Sequence, residues 1–164
     1  GDTTLTTQNG TIKADGLAAG GTVTLDNKNG TISASNVSAA ALSADLENGN
    51  ITLENVRVDG ALTVKNSNGN ISMRGSVKAQ SFTADTELGT IAVETGGILA
   101  AETLQLSSNL GDITVRGALA GSQADYTLFL TANMGSSNLP SGGSGARRLT
   151  AATELGNITL RFEN

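Results

Sequence analysis

The sequence has no cysteine, no histidine, no tryptophan and one proline, and only 2% of its 164 residues are aromatic. Without cysteine there is no disulfide and no thiolate nucleophile. Without histidine as well, the usual zinc sites and imidazole acid–base chemistry are excluded. The missing cysteine suits either side of a membrane and leaves the redox compartment open. A single tyrosine and no tryptophan leave few aromatic platforms for stacking on sugars. Charged residues make up 15% of the chain, below the usual quarter. The net charge of −5 disfavours nucleic acid, which needs a basic footprint, and also docking on anionic lipid. No apolar run is long enough to cross a membrane and no signal peptide is present. The chain starts at Gly1 rather than Met, which reads as an excised piece with a tag remnant, its export or anchor segment cut away.

Glycine, by contrast, is plentiful and periodic. Asn9-Gly10-Thr11-Ile12 returns as Asn29-Gly30-Thr31-Ile32, Asn48-Gly49-Asn50-Ile51 and Asn68-Gly69-Asn70-Ile71. It continues as Leu88-Gly89-Thr90-Ile91 and Leu110-Gly111-Asp112-Ile113, degrades to Met134-Gly135-Ser136-Ser137, and recovers as Leu155-Gly156-Asn157-Ile158. A fixed period of about 20 residues means a stacked repeat. Periodic glycine with alternating apolar residues also argues against disorder.

Inside each period the pattern is that of strands. Two residues after the glycine stand Ile12, Ile32, Ile51, Ile71, Ile91, Ile113 and Ile158, which form one core ladder. Four after it stand Ala14, Ala34, Leu53, Met73, Val93, Val115 and Leu160 on the same face. Before the glycine, apolar residues recur at seven and five positions back, as in Val23 with Leu25 and Leu62 with Val64. Inward parity changes across the glycine, so Gly10, Gly30, Gly49, Gly69, Gly89, Gly111, Gly135 and Gly156 mark corners with positive φ. The Leu or Met that replaces Asn before the later corners is read as a lid over the core. A third apolar patch follows at Leu17, Val37, Val56 with Val58, Val77 and Ile98.

The expected fold is an all-β, single-stranded β-solenoid of eight coils, a rod of roughly 40 Å at the spacing of paired strands. One domain spans 1–164, with regular coils over 1–120 and irregular coils and a cap over 121–164. Within the cap, 141–145 (Ser-Gly-Gly-Ser-Gly) reads as a flexible excursion, and Leu160-Arg161-Phe162 as the strand that closes the stack. Phe129 sits at an outward position and calls for a cover. Replacing Ile51 or Ile71 with alanine should cost about 2–5 kcal/mol, because one layer of the column becomes a cavity.

The blocks Leu62-Thr63-Val64-Lys65-Asn66-Ser67-Asn68-Gly69-Asn70-Ile71-Ser72-Met73 and Leu149-Thr150-Ala151-Ala152-Thr153-Glu154-Leu155-Gly156-Asn157-Ile158-Thr159-Leu160 resemble the bacterial DUF4097 family, which carries an adhesin label. The Asp125-Tyr126 strand, the Gly/Ser loop after it and the final Gly-x-Ile pair are similar to that family's ending. The resemblance covers essentially the whole chain. It implies a non-enzymatic module at the cell surface or in the periplasm, facing a protein or glycan, and brings no catalytic residues with it.

Candidate sites are few. Asp45, Glu47, Asp85 and Glu87 stand at outward positions of neighbouring coils and form a weak calcium candidate. Solvated surface charge is the plainer reading, with Lys65 relieving the repulsion between Asp45 and Asp85. The column Thr11, Thr31, Asn50, Asn70, Thr90 and Asp112 forms a regular polar face that could meet glycans or ordered water, with solvated strand surface as the plainer reading. Arg147 and Arg148 are adjacent in a strand and point to opposite faces, so they do not make one anion site. The Asn-x-Ser/Thr triplets arise from the repeat. No cofactor, no resident metal and no catalytic residue is expected. The alternatives to a binding module are a scaffold that polymerises end to end, as bactofilin-type solenoids do, and a polysaccharide-active β-helix enzyme. Weak self-association fits either non-enzymatic reading.

Overall fold

A computed structural model describes residues 1–94 and 96–163. The chain winds as a β-solenoid, and among the described residues the strands form one continuous 14-stranded parallel sheet wrapped into coils. The first three coils run almost unbroken as β1 (Thr3–Asp15), β2 (Thr22–Ala39) and β3 (Ala41–Val58). Later coils break at the corner: β4 (Ala61–Asn68) with β5 (Ile71–Lys78), and β6 (Ser81–Leu88) with β7 (Ile91–Val93) and β8 (Ile98–Ala100). Next come β9 (Thr103–Leu110), β10 (Ile113–Val115) and β11 (Ala118–Leu119). A short 3-10 turn, Gln123–Asp125, leads to β12 (Tyr126–Ala132), and β13 (Arg147–Leu155) and β14 (Ile158–Thr159) complete the chain.

The isoleucine ladder forms as expected. Ile12 pairs with Ile32, Ile32 with Ile51, Ile51 with Ile71, Ile71 with Ile91, Ile91 with Ile113, and Ile113 with Ile158. Ile12, in the outermost layer, is 5% exposed and the others at most 1%. The corner glycines stack in the same way. At Gly49 φ is 136°, and a Cβ would lie 1.6 Å from the Gly30 carbonyl oxygen, so only glycine lets the layers approach. Gly135 departs from the expectation, since its φ is not positive. It is still confined to glycine, because a Cβ there would lie 1.7 Å from the Gly156 oxygen. A second corner lies six residues after the first, at Gly16 (φ 65°), Asn36 (53°), Asn55 (51°) and Gly75 (60°). The third face behind it buries Val37, Val56, Val58 and Val77. In the fifth coil the inward residue is Leu99 rather than Ile98, because Leu99 pairs with Val77 and Ile98 with Ser76.

The stack does not follow sequence order. Strand β13 pairs with β9 on one side and β12 on the other, so the coil of Gly156 lies on the coil of Gly111, and the coil of Gly135 is outermost. The physical reason is a column of inward residues three positions before the corner, polar in most of the stacked layers and apolar at Leu46. Asn27, Asn66, Thr86 and Ser108 donate to the carbonyl of the corner glycine one layer back, at 2.8–3.0 Å. Thr153 does the same for Gly111 at 2.9 Å. Ala132 holds that position in the coil of Gly135 and has nothing to donate. Ser137 would also interrupt the isoleucine column that Ile158 continues. The coil lacking both features therefore goes to the end of the stack.

This order changes what closes the rod. Leu160-Arg161-Phe162 lies one layer in, with Phe162 bridging to Leu119. The closing element is 141–145, which is a cap laid across the free edge of β12 rather than a flexible excursion. Leu128 and Gly142 exchange backbone hydrogen bonds at 2.7 and 2.9 Å, and the Ser141 hydroxyl accepts from the Leu130 N–H at 2.7 Å. A Cβ on Gly145 would lie 2.0 Å from the Asp125 carbonyl carbon, so its smallness serves close approach. Below the cap, Tyr126 is fully buried, donates its hydroxyl hydrogen to Ala120 O at 2.7 Å, and meets the Phe162 ring at 5.0 Å. Burial pushes the Tyr126 phenol above its ordinary range, and Arg147 partly offsets this. Strand β1 pairs only with β2, and Leu5 is 37% exposed where Leu25, one layer in, is fully buried.

Candidate functional site

In the polar column considered as a binding face, Asn50, Asn70 and Asp112 have structural duties. Asn50 Oδ1 accepts the Asn70 N–H at 3.0 Å, and Asn70 Oδ1 accepts the Thr90 N–H at 2.8 Å. Asp112 Oδ1 accepts the Asn157 N–H at 2.7 Å, and Asn157 Oδ1 accepts the Ser136 N–H at 3.0 Å. These side chains carry the ladder across the corner where backbone pairing lapses. Asp45, Lys65 and Asp85 lie in register on the outer face of β3, β4 and β6, so the cation separates the two carboxylates. Glu47 and Glu87 flank them across Ser67. Among the described residues no group of three or more metal-ligating side chains is gathered.

Arg147 and Arg148 diverge, as alternation requires. Arg147 Nη1 donates to Ala120 O, and its guanidinium carbon lies 5.7 Å from the Tyr126 ring centroid. The Arg148 guanidinium lies 4.6 Å from the Phe129 ring centroid and is the cover that Phe129 called for, although the residue stays 44% exposed.

The corner ridge is the feature that sequence reasoning placed wrongly. In the first four layers the residue before the glycine is asparagine, and these side chains bond one another. Asn29 Nδ2 donates to Asn9 Oδ1 at 3.2 Å, Asn48 to Asn29 at 3.1 Å and Asn68 to Asn48 at 3.0 Å. In the next four layers the same column is Leu88, Leu110, Leu155 and Met134, in spatial order. They do not cover the core. Leu88 is 47% exposed, Leu110 43%, Leu155 44% and Met134 77%. The reason is local: the two residues before each glycine, such as Lys28 and Asn29, both face solvent. Alternation thus breaks one residue before the glycine, and that residue projects from the apex of the bend.

The flanks of this ridge are acidic. Asp85, Glu87 and Glu154 lie on the side before the corner, and Asp112 on the side after it. Beside the ridge, a shallow depression of about 520 Å³ is lined by Thr90, Ala92, Val93, Glu94, Asp112, Thr114 and Arg116. Its rim carries the Arg74–Glu94 ion pair at 2.8 Å. The signal for the ridge was present in the sequence as the change from Asn to Leu at the fifth corner. A comparison with family models, with curated proteins and with solved structures returns no match to this chain.

Proposed function

We propose that the chain is a non-enzymatic binding module held outside the cytoplasm, at the cell surface or in the periplasm, in the manner of the DUF4097 adhesins it resembles. The observation that carries this reading is the exposed apolar ridge of Leu88, Leu110, Leu155 and Met134. An apolar row left in water on an otherwise polar, repetitive body marks a contact surface. In-register pairing presents that row at the spacing of neighbouring strands. The resemblance supplies the location, and the polar faces suit a protein or glycan surface.

The test is protease accessibility of the full-length protein on intact cells beside a lysed control. Digestion on intact cells is the expected result for a surface module. Protection until lysis, followed by fractionation with the periplasm, keeps the envelope reading; fractionation with the cytoplasm overturns it.

A second reading is a scaffold that polymerises through its ends. The Gly142 cap over β12 opposes head-to-tail growth, because the edge that would receive the next β1 is covered. Light scattering across a concentration series separates the two. Growth in mass with concentration supports the scaffold, and a constant mass removes it.

A further inference from the structure

We infer that the ridge docks a cationic amphipathic helix: one apolar residue per turn set against one solenoid layer, with Lys or Arg on both sides. This rests on the binding-module reading and names the partner chemistry for it. Three observations lead to it.

The first is that the corner does not need these side chains. Asn9, Asn29, Asn48 and Asn68 fill the same column and satisfy one another there. Leu88, Leu110, Leu155 and Met134 therefore add exposed apolar surface that the fold does not require. The second is spacing. Neighbouring strands stand about 4.8 Å apart, so the four side chains form a row of roughly 14 Å. A helix repeats every 5.4 Å or so per turn, which stays within about 2 Å of that row over three turns. An extended strand presents a side chain to one face only every ~6.7 Å and falls out of step at once.

The third is charge. Asp85, Glu87, Glu154 and Asp112 border the row, and in those four layers the positions from four before the glycine to three after it hold no Lys or Arg. A second copy would match the apolar rows but oppose these carboxylates with their own kind. An anionic membrane meets the same repulsion. Basic residues on both sides of an apolar stripe satisfy the surroundings, and helix-on-surface recognition through i, i+3, i+4 and i+7 anchors is a recurring mode.

The experiment uses a fluorescent model helix of leucine and lysine, with leucines at i, i+3, i+4 and i+7, titrated by anisotropy against the 164-residue chain. A helix with glutamate in place of lysine is the matched control. The variant Leu110→Asn with Leu155→Asn gives two ridge layers the residue type of the first half, and its melting curve checks that it folds. The expected result is binding of the lysine helix, no binding of the glutamate helix, and affinity reduced about tenfold or more in the double variant. Glu87→Gln with Glu154→Gln should flatten the salt dependence while leaving the apolar contact. Equal affinity for the double variant would reduce the interaction to bulk charge attraction and overturn the proposal, as would no binding of the lysine helix or equal binding of the glutamate one. The measurement is made in solution, so a cytoplasmic location of the native protein would sink the function above without touching this result, and the reverse also holds.

Discussion

Asn66 should be improvable, because its side chain does one job well and another badly. Its Nδ2 donates to Gly49 O at 2.9 Å, tying its layer to the one before. Its Oδ1 is buried and has no partner within the protein, and Asn27 Oδ1 is in the same state. Leu46, which lies between them in register, is apolar and offers neither of them a hydrogen. Thr86, one layer on, makes the equivalent bond to Gly69 O at 3.0 Å with one hydroxyl and leaves no buried acceptor stranded. Asn66→Thr therefore keeps the donor and removes the orphan. A buried unsatisfied acceptor costs about 1–3 kcal/mol, and some packing is lost with the amide, so a net gain of about 1 kcal/mol is expected. For a domain of this size that is about 2–4 °C in Tm. Asn66→Ala removes donor and orphan together, leaves Gly49 O unpaired in its turn, and should fall at or below the parent. The assay is urea denaturation followed by far-UV CD, with m held constant across the three proteins. An Asn66→Thr protein less stable than its parent, or an alanine variant as stable as the threonine one, would refute the reasoning.

Gly10→Ala and Gly49→Ala should separate strain from collision. A Cβ at Gly10 meets nothing within 4 Å and suffers only its φ of 117°, costing about 1–3 kcal/mol in denaturation, whereas the Gly49 variant should fail to fold by CD. The layer order is testable against a background with no native cysteine. Leu110→Cys with Leu155→Cys lie on paired strands, about 5 Å apart, and should oxidise to a disulfide; Leu110→Cys with Met134→Cys span two layers, about 10 Å, and should not. The opposite outcome on non-reducing gels would mean that the coils stack in chain order. Asp125 is held below the ordinary carboxylate range, first by the Ser122 N–H, then by the Ser122 hydroxyl, with a further contribution from Arg147. Its folded pKa is depressed, so the stability it lends is complete above the unfolded value near ~3.9 and is lost as pH falls through the lower folded value. Asp125→Asn should flatten that acid limb in stability measured from pH 5 down to pH 2.

The solenoid was legible because its signal is redundant. Seven isoleucines repeat one register, and no single substitution could hide it. The second corner was written less uniformly, as Gly16, Asn36, Asn55 and Gly75, and the alternation of Asn with Gly concealed that both serve one left-handed conformation. Ile98 was misplaced because the segment between Val93 and Ile98 breaks the count, and the register resumes at Leu99. The cap was misread because glycine and serine are shared by mobile linkers and by segments that must lie flat against another backbone. Composition alone cannot tell them apart, whereas the close approach of Gly145 to Asp125 does. The layer order was recoverable in principle. Ala132 and Ser137 are poor in the two columns where Thr153 and Ile158 are good, and a terminal layer is the one place where neither defect lies between two others.

The same reasoning explains why the ridge can differ so sharply between the two halves of the rod. Each layer is held by its inward columns and by backbone pairing, and most also by a donor that ties them to the glycine behind. The residue at the apex lies outside all of these. In the first half the apex forms a short amide ladder that opens on the N-terminal face at Asn9. In the second half it forms an apolar row that ends at Met134, the most exposed of its side chains, next to the capped edge. The fold tolerates either chemistry, so stability did not dictate the change from asparagine to leucine. An apex that is free of the core can be altered for contact without loosening the stack. For that reason Leu110→Asn with Leu155→Asn should leave the melting curve close to the parent's while removing the apolar contact from two of the four layers. Loss of the fold in that variant would show instead that the leucines hold the corner together, and the ridge would then be structural.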